Sequence, residues 1–434
     1  METMGFISVI PAILAIVLSF ITRNTIVSLT IACIAGTLLA GQGIFGFPTL
    51  LQNSLGTTSF SWVMLLNTFI GILVAYFQKT GAIQGFSQKV HEKNLSRRGA
   101  QLMAWVLGIF IYFSDSFSPL FVGSVMRSIT DKAKVFREKL AYIADSTSAP
   151  VSVLMPITGW AAYLMGLAVG VGCIATTEDA SRLFLRAIPF NFYPIFAVLF
   201  VGLLASGIIK DFGPMKKAEK RAWEEGKVIR DGATPLIGKE LTDMQPYPGL
   251  KPRVVLNFIL PVFVIIGIAL GTYIAFDSAK TMEAFLFVVI IMTISMMIQG
   301  IPFKEVMNTL TDGVKGAIPA VMLLAVIFAV AAIMSFATGS SWGTFAICMP
   351  IALPLAFSFT DNQMSLLIVA CFAAVAGGGV FGDHCSPLSD TTVLSSTGAA
   401  SDHIDHVKTQ LPYALICGLL AFIAYLIIGI FFIQ

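Results

Sequence analysis

Long apolar runs, each closed or interrupted by a short polar cluster, set the pattern of this chain from end to end. Runs at 6–21, 25–40 and 61–77 come close to the roughly 17–20 residues with which a helix crosses a bilayer. Only Arg23 separates the first two, and no Lys or Arg lies between the second and third. The stretch 78–100 then brings Lys79, Lys89, Lys93, Arg97 and Arg98. Positive charge collects on the cytoplasmic side, so three crossings that end here place the N-terminus outside. Residues 101–126 carry Asp115 at mid-run in YFSDSFSPLF, and a second basic segment follows with Arg127, Lys132, Lys134, Arg137 and Lys139. Both flanks favour the cytoplasm, yet the run is too short for two crossings. The pattern predicts a re-entrant hairpin with its tip at 115–119; a single crossing against the charge rule is the alternative.

Residues 140–172 are too long for one simple crossing and are interrupted by ADSTSAPVS. Pro150 removes a backbone donor and disfavours helix at Ala149, which predicts a break at 145–150, and Pro156 to Gly159 predicts a second. Such discontinuous helices form ion sites in carriers. A crossing at 190–209 leads to the one long polar segment, 210–253, with ten Lys or Arg and five Pro. Within it 215–230 reads as a charged surface helix. Crossings near 254–274 and 284–299 follow, then a polar, interfacial stretch at 303–316. Runs at 317–336 and 345–357 flank the uncharged break ATGSSWGT at 337–344. An apolar run at 365–376 enters GGGVFGDHCSPLSDTTVLSSTGAASDHIDH at 377–406, and a last run covers 411–432. Three glycines and Pro387 predict that the helix entering this stretch breaks near Asp383.

The expected fold is an all-α polytopic membrane protein with about 10–12 crossings in two inverted repeats, containing re-entrant hairpins and discontinuous helices. Residues 1–209 and 254–434 would be the two membrane repeats, and 210–253 a basic cytoplasmic connector. Internal matches support repetition: Asp115 and Asp383 each open D-x-x-S-P-L, and Asp131…Leu140…Tyr142 matches Asp402…Leu411…Tyr413 in spacing. A competing register pairs the breaks at Asp145 and Asp383, and it is preferred because each half then has a polar turn followed by a broken helix.

Composition narrows the classes. Apolar residues make up 56% of the 434 and charged ones 12%, about half the share in a soluble domain. The net charge of +3 is small and its basic residues sit in loops, so nucleic acid has no footing as a partner. Six scattered cysteines form no C-x-x-C pair and read as buried thiols. The opening METMGFISVIPAIL lacks the basic region of a signal peptide, so the first run is expected to remain as a membrane helix.

Asp115, Asp145, Asp383 and Asp390 fall at membrane depth with no Lys or Arg in their own apolar runs. Intramembrane carboxylates are costly and mark functional paths. Such a group holds a proton more tightly than it would in water and yields it to a bound cation, so the site can exchange one for the other. Ser146, Thr147, Ser148, Ser386, Ser389, Thr391 and Thr392, with carbonyls freed by unwinding, suit a hard cation such as Na⁺, whose ligands would be Asp145, Thr147, Asp383 and Asp390. Helix capping is the structural alternative for these acids. His384 either relays protons or bonds to backbone at the break. His403 and His406, with Asp402, Asp405 and Lys408, read as a solvated turn. His384 beside Cys385 lacks an orienting third residue, so an enzyme is not expected. No cofactor is expected beyond the coupling ions.

GDHCSPLSDTTVLSSTGA followed by DHIDHVKTQLPYAL resembles the signature of the NhaC-type Na⁺/H⁺ antiporter family, and REKLAYIADSTSAPV and GSSWGTFAICMPIALPLA resemble the same family in the same order. The resemblance implies a secondary carrier with two inverted repeats and an elevator-like motion. Its polar positions map onto Asp145 to Ser148, Ser340, Ser341 and Thr344, and Asp383 to Thr392. It implies Na⁺-coupled transport in the inner membrane, foremost Na⁺/H⁺ exchange. The alternative it leaves is a Na⁺-coupled carrier of an amino acid or a hydroxy acid such as malate or lactate. A homodimer is a further partner to test for. The hairpin has its own test: single cysteines at positions 88 and 134, in a cysteine-free background, are expected to react only from the cytoplasmic side, and labelling of either from outside would make 101–126 a full crossing.

Overall fold

Helices start and stop where the apolar runs meet proline, glycine and capping hydroxyls. The computed structural model describes residues 10–22, 25–55, 58–91, 96–112, 114–156, 158–236, 244–276, 280–334 and 341–431. The first half comprises α1 (Ile10–Thr22), α2 (Thr25–Leu39), α3 (Gly46–Leu55), α4 (Thr58–Lys79), α5 (Ala82–His91), α6 (Arg97–Phe110), α7 (Phe117–Lys132), α8 (Arg137–Ser146), α9 (Ala149–Ser152), α10 (Gly159–Ala168), α11 (Thr177–Ala187) and α12 (Phe192–Ala205). The connector holds α13 (Gly213–Glu224), shorter than the expected 215–230 at its C-terminal end. The second half comprises α14 (Leu260–Phe276), entered through a π-helical turn at Val255–Ile259, then α15 (Thr281–Ile298), α16 (Phe303–Met334), α17 (Ser341–Ser358), α18 (Leu366–Cys385), α19 (Asp390–Gly398) and α20 (His403–Phe431). Among the described residues, extended pairing is limited to two isolated bridges. The protein is all-α.

Among the described residues four segments are long and apolar enough to cross a membrane: Val255–Phe276, Thr281–Ile298, Leu366–Cys385 and His403–Phe431. The pair Thr177–Phe190 and Phe192–Ala205, bent by 45°, makes a fifth if it acts as one crossing. Where the hairpin is expected, α6 ends at Phe110, α7 starts at Phe117 and the two pack together, so the second helix begins within the expected tip at 115–119. Residues 303–316 form the first part of the 32-residue α16. Gly377 to Gly379 do not break α18; a Cβ on Gly379 would lie 2.3 Å from the Phe345 ring and one on Gly377 2.7 Å from Asn191 Oδ1. These glycines make room for neighbours. All six cysteines are free thiols, and Cys173 is exposed rather than buried.

Two apolar clusters fill the interior. One gathers α4, α6, α7, α8, α14 and α15; the other gathers α10, α11, α12, α17 and α18. Ala144 belongs to the first and Ala149 to the second, so the break between α8 and α9 lies on the seam between them. The connector is fastened to the membrane part by ion pairs. Lys139 meets Asp211 at 2.5 Å, and Arg221 Nη2 donates to both oxygens of Glu138 at 2.9 and 3.0 Å. Arg230 Nε donates to Asp405 at 2.6 Å.

The halves cross closely where α7 meets α19. A Cβ on Gly398 would lie 2.7 Å from the carbonyl oxygens of both Pro119 and Leu120, and backbone cannot yield as a flexible side chain does. Gly398→Ala is therefore expected to cost about 1–3 kcal/mol in thermal unfolding, whereas Gly378→Ala, inside α18 with nothing within 4 Å, should gain about 0.5–1 kcal/mol from the better helix propensity of Ala. Equal melting temperatures would contradict the close crossing.

Candidate functional site

Local sequence fixes the two breaks. α8 closes on its own hydroxyls: Thr147 Oγ1 donates to the Ile143 carbonyl at 2.8 Å and Ser148 Oγ to the Asp145 carbonyl at 2.6 Å. Pro150 falls in the first turn of α9, where its missing N–H leaves no bond unmade. At the other break, Pro387 forces Ser386 into an extended conformation (φ −89°, ψ 131°), which ends α18 at Cys385. Ser386 Oγ accepts from the Leu388 N–H at 3.0 Å, and Ser389 caps α19 by accepting from the Thr392 N–H. Asp390 then sits in the first turn of α19, where a carboxylate suits the helix dipole. The break lies at 386–389, just beyond the expected position near Asp383.

These breaks meet. Asp145 is fully buried; its Oδ2 accepts from Thr392 Oγ1 at 3.1 Å and from Gln410 Nε2 at 2.7 Å, and His406 Nε2 stands 3.4 Å away, outside hydrogen-bonding geometry. Among the described residues its Oδ1 has no partner. The neighbouring Thr391 donates to Asp383 Oδ2 at 3.2 Å, so consecutive threonines at the head of α19 hold the two carboxylates. Asp115 accepts from Trp160 Nε1 at 2.9 Å and from the Ser116 N–H at 2.9 Å. Asp390 stands beside these threonines in the same turn, so carboxylates of both breaks gather at the head of α19.

His384 is buried, and its ring is held by side chains rather than backbone: Ser146 Oγ on Nε2 at 3.1 Å and Tyr193 OH on Nδ1 at 2.7 Å. Ser389 and Thr391 share a hydrogen bond at 3.0 Å. Thr147 and Ser148 turn their hydroxyl protons to their own helix, so the structure does not bring Thr147 to the Asp145 carboxylate. Ser340 lies outside the described residues, as does the side chain of Ser341, which opens α17. Thr344 is half-buried beside Phe345, whose ring packs edge-on against Trp160 at 5.7 Å. Among the described residues no three His, Cys, Asp or Glu side chains form a metal-ligand cluster. A hard cation here would draw on a mixed set of carboxylate, hydroxyl, amide and carbonyl oxygens.

The expectation of a solvated turn at 402–408 is overturned. His406 is 0% exposed, His403 3% and Asp402 7%. Residues 403–408 are the start of α20, and Asp402 accepts from the Asp405 N–H at 3.1 Å as its cap. The connector supplies the cover: Thr234 N donates to Asp402 Oδ2 at 3.0 Å, and Arg230 pairs with Asp405. Sequence reasoning missed Gln410, Tyr193 and Trp160. His403, His406 and Gln410 recur at i, i+3 and i+7, a single helical face, and that spacing was the available signal for Gln410. Tyr193 and Trp160 gave none.

Ionisable side chains buried at broken helices in a multi-pass α-helical membrane protein define a secondary active carrier. Residues 151–333 and 314–430 match the sequence model of the Na⁺/H⁺ antiporter family, and the chain belongs to that family. An uncharacterized protein of Haemophilus influenzae is 31% identical over 490 aligned residues, which cover 97% of this chain and 90% of that protein. An uncharacterized Na⁺/H⁺ antiporter of the same organism is 31% identical over 153 residues, 35% of this chain and 31% of its own. The malate-2H⁺/Na⁺-lactate antiporter of Bacillus subtilis is 32% identical over 111 residues, 26% of this chain and 22% of its own.

The capping role of Asp402 has a direct check. Asp402→Ala is expected to cost about 0.5–2 kcal/mol in thermal unfolding, and Asp402→Asn, which can still cap, distinctly less. Two equal losses would contradict the cap.

Proposed function

We propose that this protein exchanges Na⁺ for H⁺ across the inner membrane by alternating access, with Asp145 as the group that carries one or the other. The observation that carries this reading is the Asp145 carboxylate itself: wholly buried, held through one oxygen by Thr392 and Gln410, and unpartnered at the other. A buried carboxylate can be neutralised by a proton or by a cation, and one site serves only one of them at a time. That exclusion couples the two fluxes. Asp383, held by Thr391, is the second exchangeable group. Ser146, through His384 and Tyr193, fixes the end of α8.

Access would alternate through motion of two inverted repeats. Tyr142 of α8 and Tyr413 of α20 pack ring to ring at 5.2 Å, so the two halves of the chain meet beside the site. The mechanism needs no cofactor and is compatible with a homodimer. A second reading, Na⁺-coupled movement of a small organic solute, is favoured by the Bacillus subtilis relative named as a malate-2H⁺/Na⁺-lactate antiporter.

In proteoliposomes loaded with Na⁺, an outward Na⁺ gradient is expected to acidify the lumen with no organic solute present. Asp145→Asn and Asp383→Asn are expected to abolish this flux while leaving insertion intact. Near-normal flux in both variants would remove them from the site. Solute movement driven by Na⁺, with no acidification in the absence of solute, would favour the second reading.

A further inference from the structure

Gln410 carries information that the carboxylates do not. Its Nε2 has two hydrogens and gives both away, one to Asp145 Oδ2 at 2.7 Å and one to the His384 carbonyl at 2.6 Å. Both partners are acceptors, so turning the amide over would set oxygen against oxygen, and its orientation is fixed. Oε1 is left buried and unpartnered on a side chain only 1% exposed. On the carboxylate that Gln410 holds, Asp145 Oδ1 is likewise buried without a partner among the described residues, and His406, one helical turn earlier on α20, brings Nε2 to 3.4 Å from Oδ2. His406 Nε2 and Gln410 Nε2 both approach Asp145 Oδ2, so the three side chains surround one point.

Buried polar atoms are nearly always satisfied, and two buried acceptor oxygens on side chains already joined by a hydrogen bond call for a cation or a donor. A carboxylate oxygen and a neutral amide oxygen are ligands of the kind a hard cation such as Na⁺ prefers. Asp145 comes from the first half of the chain and Gln410 from the second. We propose that Gln410 Oε1 is a direct ligand of the transported monovalent cation, so that the ion is clasped between the two halves and Gln410 sets its affinity and selectivity. This rests on the Na⁺/H⁺ reading and adds a ligand to it.

The test uses purified full-length protein in detergent and follows thermal unfolding against added NaCl, LiCl or KCl at constant ionic strength. Gln410→Lys retains the donors to Asp145 and His384 but removes the acceptor and brings its own charge; Gln410→Leu removes both functions; Gln410→Glu keeps acceptor oxygens. Stabilisation of the wild type by Na⁺ is expected to be lost in Gln410→Lys, whose ion-free melting temperature should match or exceed that of the wild type. Gln410→Leu is expected to weaken apparent Na⁺ affinity by about tenfold or more and to narrow the preference for Na⁺ over K⁺, whereas Gln410→Glu should still bind. If the three variants only lower the ion-free melting temperature and bind Na⁺ like the wild type, Gln410 is structural and the proposal falls while the antiport reading stands. If the wild type itself shows no response to Na⁺, both fall.

Discussion

Keeping one carboxylate charged-capable in a place without water is the constraint to which the rest of this structure answers. Placing an ionised group at the centre of a membrane helix costs about 2.5–3.5 kcal/mol even on lenient scales, and Asp145 is 0% exposed. The chain meets that cost by ending α8 one residue later, so that the carboxylate sits at a break, within reach of donors on other helices. Thr392 and Gln410 both come from the second half. The site therefore exists only when the halves are assembled. The crossing of α7 and α19 at Gly123 and Gly398 holds them close: a Cβ on Gly123 would lie 2.4 Å from the Gly398 carbonyl carbon.

The other end of α8 is fixed by a different chemistry. Glu138 and Lys139 are both buried, and each finds its counter-ion in the connector: Arg221 for Glu138 and Asp211 for Lys139. Tyr413 on α20 also donates to Asp211 at 2.8 Å. Removing one member of such a buried pair typically costs about 3–5 kcal/mol, so these contacts bind α8, α20 and the connector into one unit. A segment that reads as a polar linker is thus a strap across the helices that carry the ion site. Arg230 and Thr234 extend it over the start of α20, covering His403 and His406.

What could be read from the sequence was what is decided locally. The breaks after Ser146 and Cys385 follow from Pro150 and Pro387 and the hydroxyls beside them, and those signals stand within a few residues of the events. The carboxylates of the site were legible because an Asp in an apolar run has few bland explanations. Misreadings arose wherever a partner from far along the chain changed the meaning of a residue. Gly377 and Gly379 read only as poor helix formers until Asn191 and Phe345 are seen packed against them. Asp402 to Lys408 look solvated until Arg230 and Thr234, some 170 positions earlier, cover them. Gln410 is one polar residue at the head of an apolar helix, and only the approach of Asp145 gives it a role.

The central claim is that Asp145 holds a proton that Na⁺ displaces. Purified protein in weakly buffered detergent solution, titrated with NaCl and followed with a pH indicator, tests it without any flux. The account predicts that Na⁺ releases protons from the wild type, that choline does not, and that the release drops sharply in Asp145→Asn. Proton release of undiminished size from Asp145→Asn would contradict it.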